Sequence, residues 1–481
     1  MGKSGKERKR RKLLQEQTQL AECLSGDDDD DEPTAAGVSI AEAAAATKVL
    51  VALAAKPEAF KGKEFKALRA SLHALRQSEG ASMVLGFGIK DVSLTQVVSD
   101  ALRDRRWSDA TCALEKMRQR KQIPKLGSVQ RWVRDCDAAA DDDSQAMRVL
   151  DSVLRTADPS QVGAMSSAGA IQALLQADGS YAVGTLKCAG RVNQYPPWDA
   201  FGRDSPQVGE TMQEAQAHAK LQRSSISLLF HRCFFAEGAA RKPPNQHPLT
   251  IHTSTPGAIR LEPSHSKARR IEVPFVPGAF LIADLFTTDE CRSIIEAGEA
   301  IGYDADEAAG GTSAADKQSI LAHAFVWCTD DDFIAAVWKR VQTMVPQIMD
   351  GAKAVGINRR WRCYRYVPGS VYRAHIDGAW PGSSVDDNGE YVYDAFADGR
   401  SSRMTFLIYL NDDFEGGCTT FFTPSLEHGV LEARGVRPHT GTACMFPHGD
   451  AAGALLHEGS AVTAGAKYVV RTDVLYTPQG V

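Results

Sequence analysis

His375 and Asp377, both in VYRAHIDG, have residue types and a spacing that suit cation binding. Residues two apart on an extended strand point to the same face, so an imidazole and a carboxylate there can share one ion. A third ligand must come from elsewhere in the chain. His457, in LLHEGSAVTAGAKYVVRTDVLY, is the candidate, with His448 as its rival. Two imidazoles and one carboxylate on one face of an octahedral ion leave three positions open, enough for a chelating ligand and a small molecule such as O₂.

The surroundings narrow that chemistry. Lys467 lies ten residues after His457 and shares a strand face with Val469, Arg471 and Asp473, while Tyr468, Val470 and Val474 supply an apolar opposite face. A buried cation at the far end of a metal pocket is what the distal carboxylate of a dicarboxylate cosubstrate needs. Lys467 and Arg471 are both candidates for that cation.

The segments RCYRYVPGSVYRAHID, MTFLIYLNDDFEGGCTTFF and H-x9-K followed by YVVRTDVLY resemble the iron(II)/2-oxoglutarate-dependent dioxygenases, in particular the prolyl 4-hydroxylase-like group. The resemblance covers about 277–477. It implies a double-stranded β-helix (jelly roll) with flanking helices, with Fe(II) held by His375, Asp377 and His457. It also implies 2-oxoglutarate held by Lys467 and Tyr366, and L-ascorbate as the reductant that restores the iron. The expected reaction hydroxylates a protein, in this group at proline, with release of succinate and CO₂. Tyr409, on the YLN strand, either lines this pocket or packs in the core. Two other readings stay open: an oxygenase acting on RNA or an RNA-bound protein, and a non-catalytic helical scaffold with a relic barrel.

The elements that must position these residues can be read in outline. Short apolar runs with turn signals between them predict strands over 362–367, 371–376, 404–411, 419–422, 442–446 and 467–476, an all-β barrel or sandwich. Before them, FLIADLFTTDECRSIIEAGEAI predicts a strand, a threonine cap and an amphipathic helix. The stretch from Gly378 to Arg403 is acidic and Gly-rich and carries Trp380, Tyr391, Tyr393 and Phe396. It reads as a lid over the barrel mouth or as a surface insertion.

Of the 36 aromatic residues, 24 lie in 269–481 and only five in 1–180. Aromatics favour sheets, whereas Ala-rich, aromatic-poor sequence favours helices, so the chain divides by texture. Residues 1–35, with the basic run 3–12 and the acidic run Asp27 to Glu32, are expected to be a disordered tail. The basic run reads either as a nuclear-import or RNA-contact patch or as a solvated tail. Residues 36–180 are expected to be α-helical. Ala110, Leu114 and Pro124 are answered by Ala146, Leu150 and Pro159, and this pattern resembles a pentatricopeptide-type repeat, a platform for protein or RNA. An unrelated helical bundle is the other reading. Residues 181–268, with one helix over 210–235, are expected to be a connector to the oxygenase-like domain at 269–481.

With 43% hydrophobic residues and a net charge of −5, the chain is neither wholly disordered nor strongly basic. Its ten cysteines include no C-x-x-C pair, so free thiols are expected rather than a disulfide framework. The N-terminus lacks the apolar core of a signal peptide and no segment suits a bilayer. These features predict an intracellular protein, cytoplasmic or nuclear, without membrane contact.

Overall fold

The computed structural model describes residues 93–140, 143–162, 191–202, 207–240, 248–262, 268–305 and 322–478, and before them only helical pieces at 45–46, 48–49, 52, 65–68 and 71–72. The charged tail expected over 1–35 lies outside these residues. The chain divides into two compact units, 1–92 and 93–481, and the candidate site belongs to the second.

That unit begins with four helices: α1 (Leu94–Arg103), α2 (Trp107–Gln119), α3 (Leu126–Ala140) and α4 (Ser144–Ala157). Capping fixes two of the starts. Ser93 accepts from the Gln96 amide and Asp143 from the Gln145 amide, which satisfies backbone donors the helix itself leaves free. Helix α1 packs on α2, α3 on α4, and α2 on α4. The apolar positions at helical spacing (Ala110, Ala113, Leu114 and Met117 on α2; Ala146, Leu150 and Val153 on α4) are all buried. Trp107 ties the pairs together by donating its indole N–H to Asp143, the α4 cap, at 2.6 Å.

The rest of the unit is a jelly roll with additions. Its eight strands are preceded by β1 (Val192–Gln194), β2 (Phe230–Ala236), β3 (Leu249–Ser254), β4 (Arg269–Glu272), β5 (Phe280–Ala283), β6 (His323–Cys328) and β7 (Ala352–Ile357), and by helices α5 (Thr211–Leu229), α6 (Thr288–Ile301) and α7 (Asp331–Val341). The eight are β8 (Arg360–Tyr366), β9 (Tyr372–His375), β10 (Ser401–Tyr409), β11 (Thr419–Pro424), β12 (Leu431–Val436), β13 (Ala443–Pro447), β14 (Leu456–Gly459) and β15 (Lys467–Pro478). Strands β8, β15, β10 and β13 lie side by side in the large sheet, and β12, β11, β14 and β9 in the small one. Successive strands thus cross between the two sheets, with an exception at β11 to β12, which pair directly.

The period-2 alternation of the strands separates two cores. Met404, Phe406 and Ile408, with Tyr468, Val470, Val474, Trp361 and Cys363, point out from the large sheet against α6 and α7. Tyr364, Tyr366, Tyr409, Phe421, Phe446 and Val469 point into the barrel. On the outer core, Trp361 is fully buried, edge-on to Phe333 at 5.0 Å and Trp327 at 5.7 Å. Trp361→Ala should cost about 3–5 kcal/mol, read as a lowered urea midpoint with an unchanged slope. A cost below about 1 kcal/mol would mean that this core collapses around the cavity. Helix α6 starts in a capping box between Thr287 and Glu290, and Glu290 also forms a buried pair with Arg340 of α7 at 2.7 Å.

A third core joins the four N-terminal helices to the outer face of the small sheet. Trp132, Val133, Leu150 and Val153 share it with Ala374, Ile376, Phe422, Leu431, Ala433 and Leu456. Residues 181–268, expected as a connector, contribute to both sheets where they are described. Strand β1 runs parallel to β12, and β2 and β3 extend the large sheet beyond β6. The helix expected over 210–235 ends at Leu229, because Phe230 to Ala236 pair with β3 instead.

The 378–403 segment is held in place. The Asn358 amide donates to the Pro381 carbonyl at 2.9 Å, and Arg359 donates to the Ser384 hydroxyl at 2.9 Å. Ser384–Val385 and Tyr391–Val392 close it as a two-strand ribbon. The eight cysteines among the described residues are free thiols. Among those residues no helix is long and apolar enough to cross a membrane.

Candidate metal centre and the pocket behind it

His375 and Asp377 come from β9 and the turn after it, and His457 from β14, where His375 and His457 are direct cross-strand neighbours. One donor atom from each of the three lies within 4.8 Å of the others. His375 Nε2 is 3.3 Å from Asp377 Oδ1, and His457 Nε2 is 3.7 Å from Asp377 Oδ2. The second nitrogen of each ring fixes its tautomer. His375 Nδ1 lies 2.7 Å from the Arg373 carbonyl and His457 Nδ1 3.1 Å from the Leu455 carbonyl. A carbonyl only accepts, so both Nδ1 atoms carry a proton, and each Nε2 is left as the atom that faces the shared point.

Charge agrees with this donor set. Burial pushes the His457 imidazole down to about 3, helped by the neighbouring His375, which keeps the ring neutral. Burial alone would raise the Asp377 carboxyl. Arg471 together with His457 and His375 outweighs burial and holds Asp377 well below the usual carboxylate range. Two imidazole nitrogens and an ionised carboxylate, all aimed at one point, fit a divalent metal such as Fe(II).

An outer set of polar side chains orients the carboxylate. The Thr405 hydroxyl donates to Asp377 Oδ2 at 2.7 Å and has only one proton to give, so His448 Nδ1, also 2.7 Å away, must donate to Thr405. Ser402 lies 2.8 Å from His448 Nε2. His448, weighed in the sequence as a third ligand, is buried one step outside the triad. Its neutral form is favoured by burial, against the pull of Asp473 and Asp377. Thr405 and Ser402 carried no signal in the sequence beyond Thr405's position on the inward-facing parity of its strand.

Metal strand β9 forms the edge of the small sheet and pairs with β14 in irregular register. Helix α3 holds it from outside. Gln130 donates to the Ile376 carbonyl, between the two ligands, at 2.8 Å, and Asp137 pairs with Arg373 at 3.1 Å. Gln130→Ala should weaken metal binding about tenfold, at the lower end of what outer-shell contacts contribute. A chelator-competition titration with Mn(II) checks this, and unchanged affinity would mean that β14 alone positions the strand.

One pocket joins the triad to Lys467. Its walls include Tyr364, Tyr366, Tyr372, Leu407, Phe446 and Val469, and Tyr372 stacks 4.1 Å from the His375 ring. Tyr366 and Lys467 are cross-strand partners at the inner end. The Lys467 ammonium lies 5.5 Å from the Tyr366 ring and 5.7 Å from the Tyr409 ring. Its hydrogen bond goes to the Gly417 carbonyl at 2.6 Å, and no carboxylate among the described residues pairs with it. Burial pushes its pKa down to about 8. Gly417 has φ +62°, and a β-carbon there would meet Phe414 at 2.8 Å and Lys467 at 3.1 Å, so glycine is required for this approach.

Arg471 sits at the opposite end from Lys467. Its guanidinium is 3.3 Å from Asp377 and 3.4 Å from Asp473. Tyr409 is fully buried behind Lys467, with its hydroxyl 2.8 Å from that of Thr419.

Residues 361–472 match the family model described as the 2OG-Fe(II) oxygenase superfamily, so the barrel carries a 2OG-Fe(II) oxygenase domain. No curated protein sequence matches the chain. Solved structures similar to it include a Pseudomonas putida prolyl-4-hydroxylase (16% identity, 42% of this chain and 94% of that one, TM-score 0.27). A viral collagen prolyl hydroxylase from Paramecium Bursaria Chlorella virus-1, in complex with 2OG, shows 19% identity over 42% of this chain and 97% of that one, TM-score 0.27. A Trichoplax adhaerens prolyl hydroxylase, bound to a hypoxia inducible factor oxygen degradation domain peptide, shows 11% identity over 57% of this chain and 94% of that one, TM-score 0.27.

Proposed function

We propose that this chain is an Fe(II)- and 2-oxoglutarate-dependent dioxygenase that hydroxylates a prolyl residue of a polypeptide, releasing succinate and CO₂. One observation carries the proposal: a single pocket has two imidazole nitrogens and an ionised carboxylate at one end and, at the other, a buried ammonium with no carboxylate partner among the described residues. Such a pocket is complementary to a metal ion chelated by a short dicarboxylate.

His375, Asp377 and His457 hold the metal, and Thr405 keeps Asp377 turned towards it. Lys467 takes the distal carboxylate of 2-oxoglutarate as a charge-assisted pair, with Tyr366 as the second contact. Tyr409 supports Lys467 from behind, and Arg471 balances the charge of Asp377. The tyrosine, leucine and phenylalanine walls keep water from the cosubstrate. When bound there, Fe(II) with 2-oxoglutarate and O₂ supplies an oxidant able to place one oxygen atom into an unactivated C–H bond. The prolyl substrate comes from the family resemblance, as does ascorbate.

Incubating the full-length protein with Fe(II), 2-oxoglutarate and a library of prolyl peptides should yield succinate together with peptides heavier by one oxygen atom. Assays with and without ascorbate decide whether it is needed. Succinate without any modified prolyl peptide would overturn the substrate class and leave the oxygenase chemistry standing.

A further inference from the structure

The face of β8 that lines the pocket continues outward past the metal. Tyr366 and Tyr364 line the pocket and Arg362 and Arg360 follow at the same parity, while Trp361 and Cys363 face the helices. Arg362 is directly opposite Arg471, whose guanidinium touches Asp377, so Arg362 is level with the metal and Arg360 lies about 6–7 Å beyond it, towards the mouth.

Arg155 and Arg360 are the most completely buried arginines among the described residues. Arg155 is paired with Asp151 at 2.7 Å. Arg360, only 8% exposed, has no carboxylate partner among those residues, and its guanidinium lies 4.3 Å above the Trp380 ring. Trp380 stands three residues after Asp377, with its amide bonded to Ser402, so this stack forms part of the rim of the site. Burial disfavours the Arg360 charge. Tyr391 counters that effect, and Arg362 and Arg471 add to it. A desolvated guanidinium without an anion is costly unless something completes it, and planar guanidinium on an aromatic ring is well suited to gripping an oxyanion.

We propose that the barrel mouth is an oxyanion subsite in which Arg360, stacked on Trp380, binds an acidic side chain of the polypeptide substrate, with Arg362 and Arg471 supplying the surrounding positive potential. This rests on the oxygenase reading above and deepens it by naming a substrate class. An extended peptide advances about 3.3 Å per residue, so the anion belongs roughly two residues from the one oxidised. The oxyanion can be a Glu or Asp carboxylate or a phosphoserine phosphate.

The test is fluorescence anisotropy of labelled prolyl peptides on full-length protein loaded anaerobically with Fe(II) and 2-oxoglutarate. The peptides differ only in Glu, phosphoserine, Gln or Lys at that flanking position. Glu or phosphoserine peptides should bind at least about tenfold tighter than the Gln peptide, and the better of the two identifies the anion. The preference should vanish in Arg360→Gln and turn towards Lys in Arg360→Glu, with each variant folded and its metal charge-transfer band retained. Should both variants fail to fold, Arg362→Gln should reduce the preference partially, and rising salt should erode it in the unaltered protein. Equal binding of Glu, phosphoserine and Gln peptides, or a preference that survives in Arg360→Gln, overturns the proposal. Absence of the charge-transfer band in the unaltered protein counts against the oxygenase reading instead, since anisotropy reports the arginine subsite without turnover.

Discussion

Asp377→Ala should lower Fe(II) affinity by at least about 100-fold, beyond the range of outer-shell changes, and abolish oxygenase turnover. Asp377 is the one anionic donor of the triad, and its lone pairs face the same point as the two Nε2 atoms. Removing it also leaves Arg471 buried with Asp473 as its remaining partner. The metal-free variant should therefore lose about 3–5 kcal/mol of stability, the usual cost of breaking a buried pair from one side. Metal binding by equilibrium dialysis and stability by urea titration read the two effects separately. His375→Ala should share the first effect and escape most of the second, because Asp377 and Arg471 both survive and keep each other as charged partners. Equal destabilisation in both variants would contradict that assignment of the charges.

Lys467→Met should act in opposite directions on cosubstrate and on stability. The ammonium is buried with a single carbonyl as its hydrogen-bond partner, so an isosteric apolar side chain removes a desolvation cost and the free protein should become no less stable. Affinity for 2-oxoglutarate should nevertheless fall about 10–150-fold, the equivalent of about 1.5–3 kcal/mol for a hydrogen bond to a charged group. Isothermal titration with 2-oxoglutarate in the presence of Mn(II), beside thermal melts, measures both. Arg471→Met should instead disturb the metal, since its guanidinium touches Asp377. A larger loss of 2-oxoglutarate affinity in Arg471→Met than in Lys467→Met would exchange their roles.

The same lysine gives a pH dependence with a definite sign. Burial lowers its pKa from 10.5 to about 8 in the folded protein. Between those values the unfolded chain holds more protons, so this group's contribution to stability rises with pH across that window. Cosubstrate binding needs the charged form, so 2-oxoglutarate affinity should fall as pH rises through about 8. Both slopes should be absent in Lys467→Met.

Sequence pattern made part of the metal site visible because alternation is local on the strand that carries His375 and runs to the turn holding Asp377. The strand of His457, Leu456–Gly459, was not among those expected. His375 and Asp377 share a face by parity, as do Lys467 and Arg471, and the strands expected around them begin and end within about three residues of those observed. Parity could not order the two cations along the pocket, since both point inward. Only the register, Tyr366 opposite Lys467 and Arg362 opposite Arg471, places one at each end. The docking of α3 on β9 was illegible for a similar reason: Gln130 and Ile376 are 246 residues apart, and an amide donating to a backbone carbonyl leaves no compositional trace. The parallel pairing of β1 with β12 depends in the same way on a contact between distant segments that no local run encodes.

The measurement closest to the central claim is an anaerobic titration of the purified full-length protein with Fe(II) and then 2-oxoglutarate, followed by visible absorption. A metal-to-ligand charge-transfer band should appear only with both present, saturate at one equivalent per chain, and be missing in Asp377→Ala. In Lys467→Met it should require far more 2-oxoglutarate. A wild-type protein that binds Fe(II) yet shows no band at saturating 2-oxoglutarate would contradict the account.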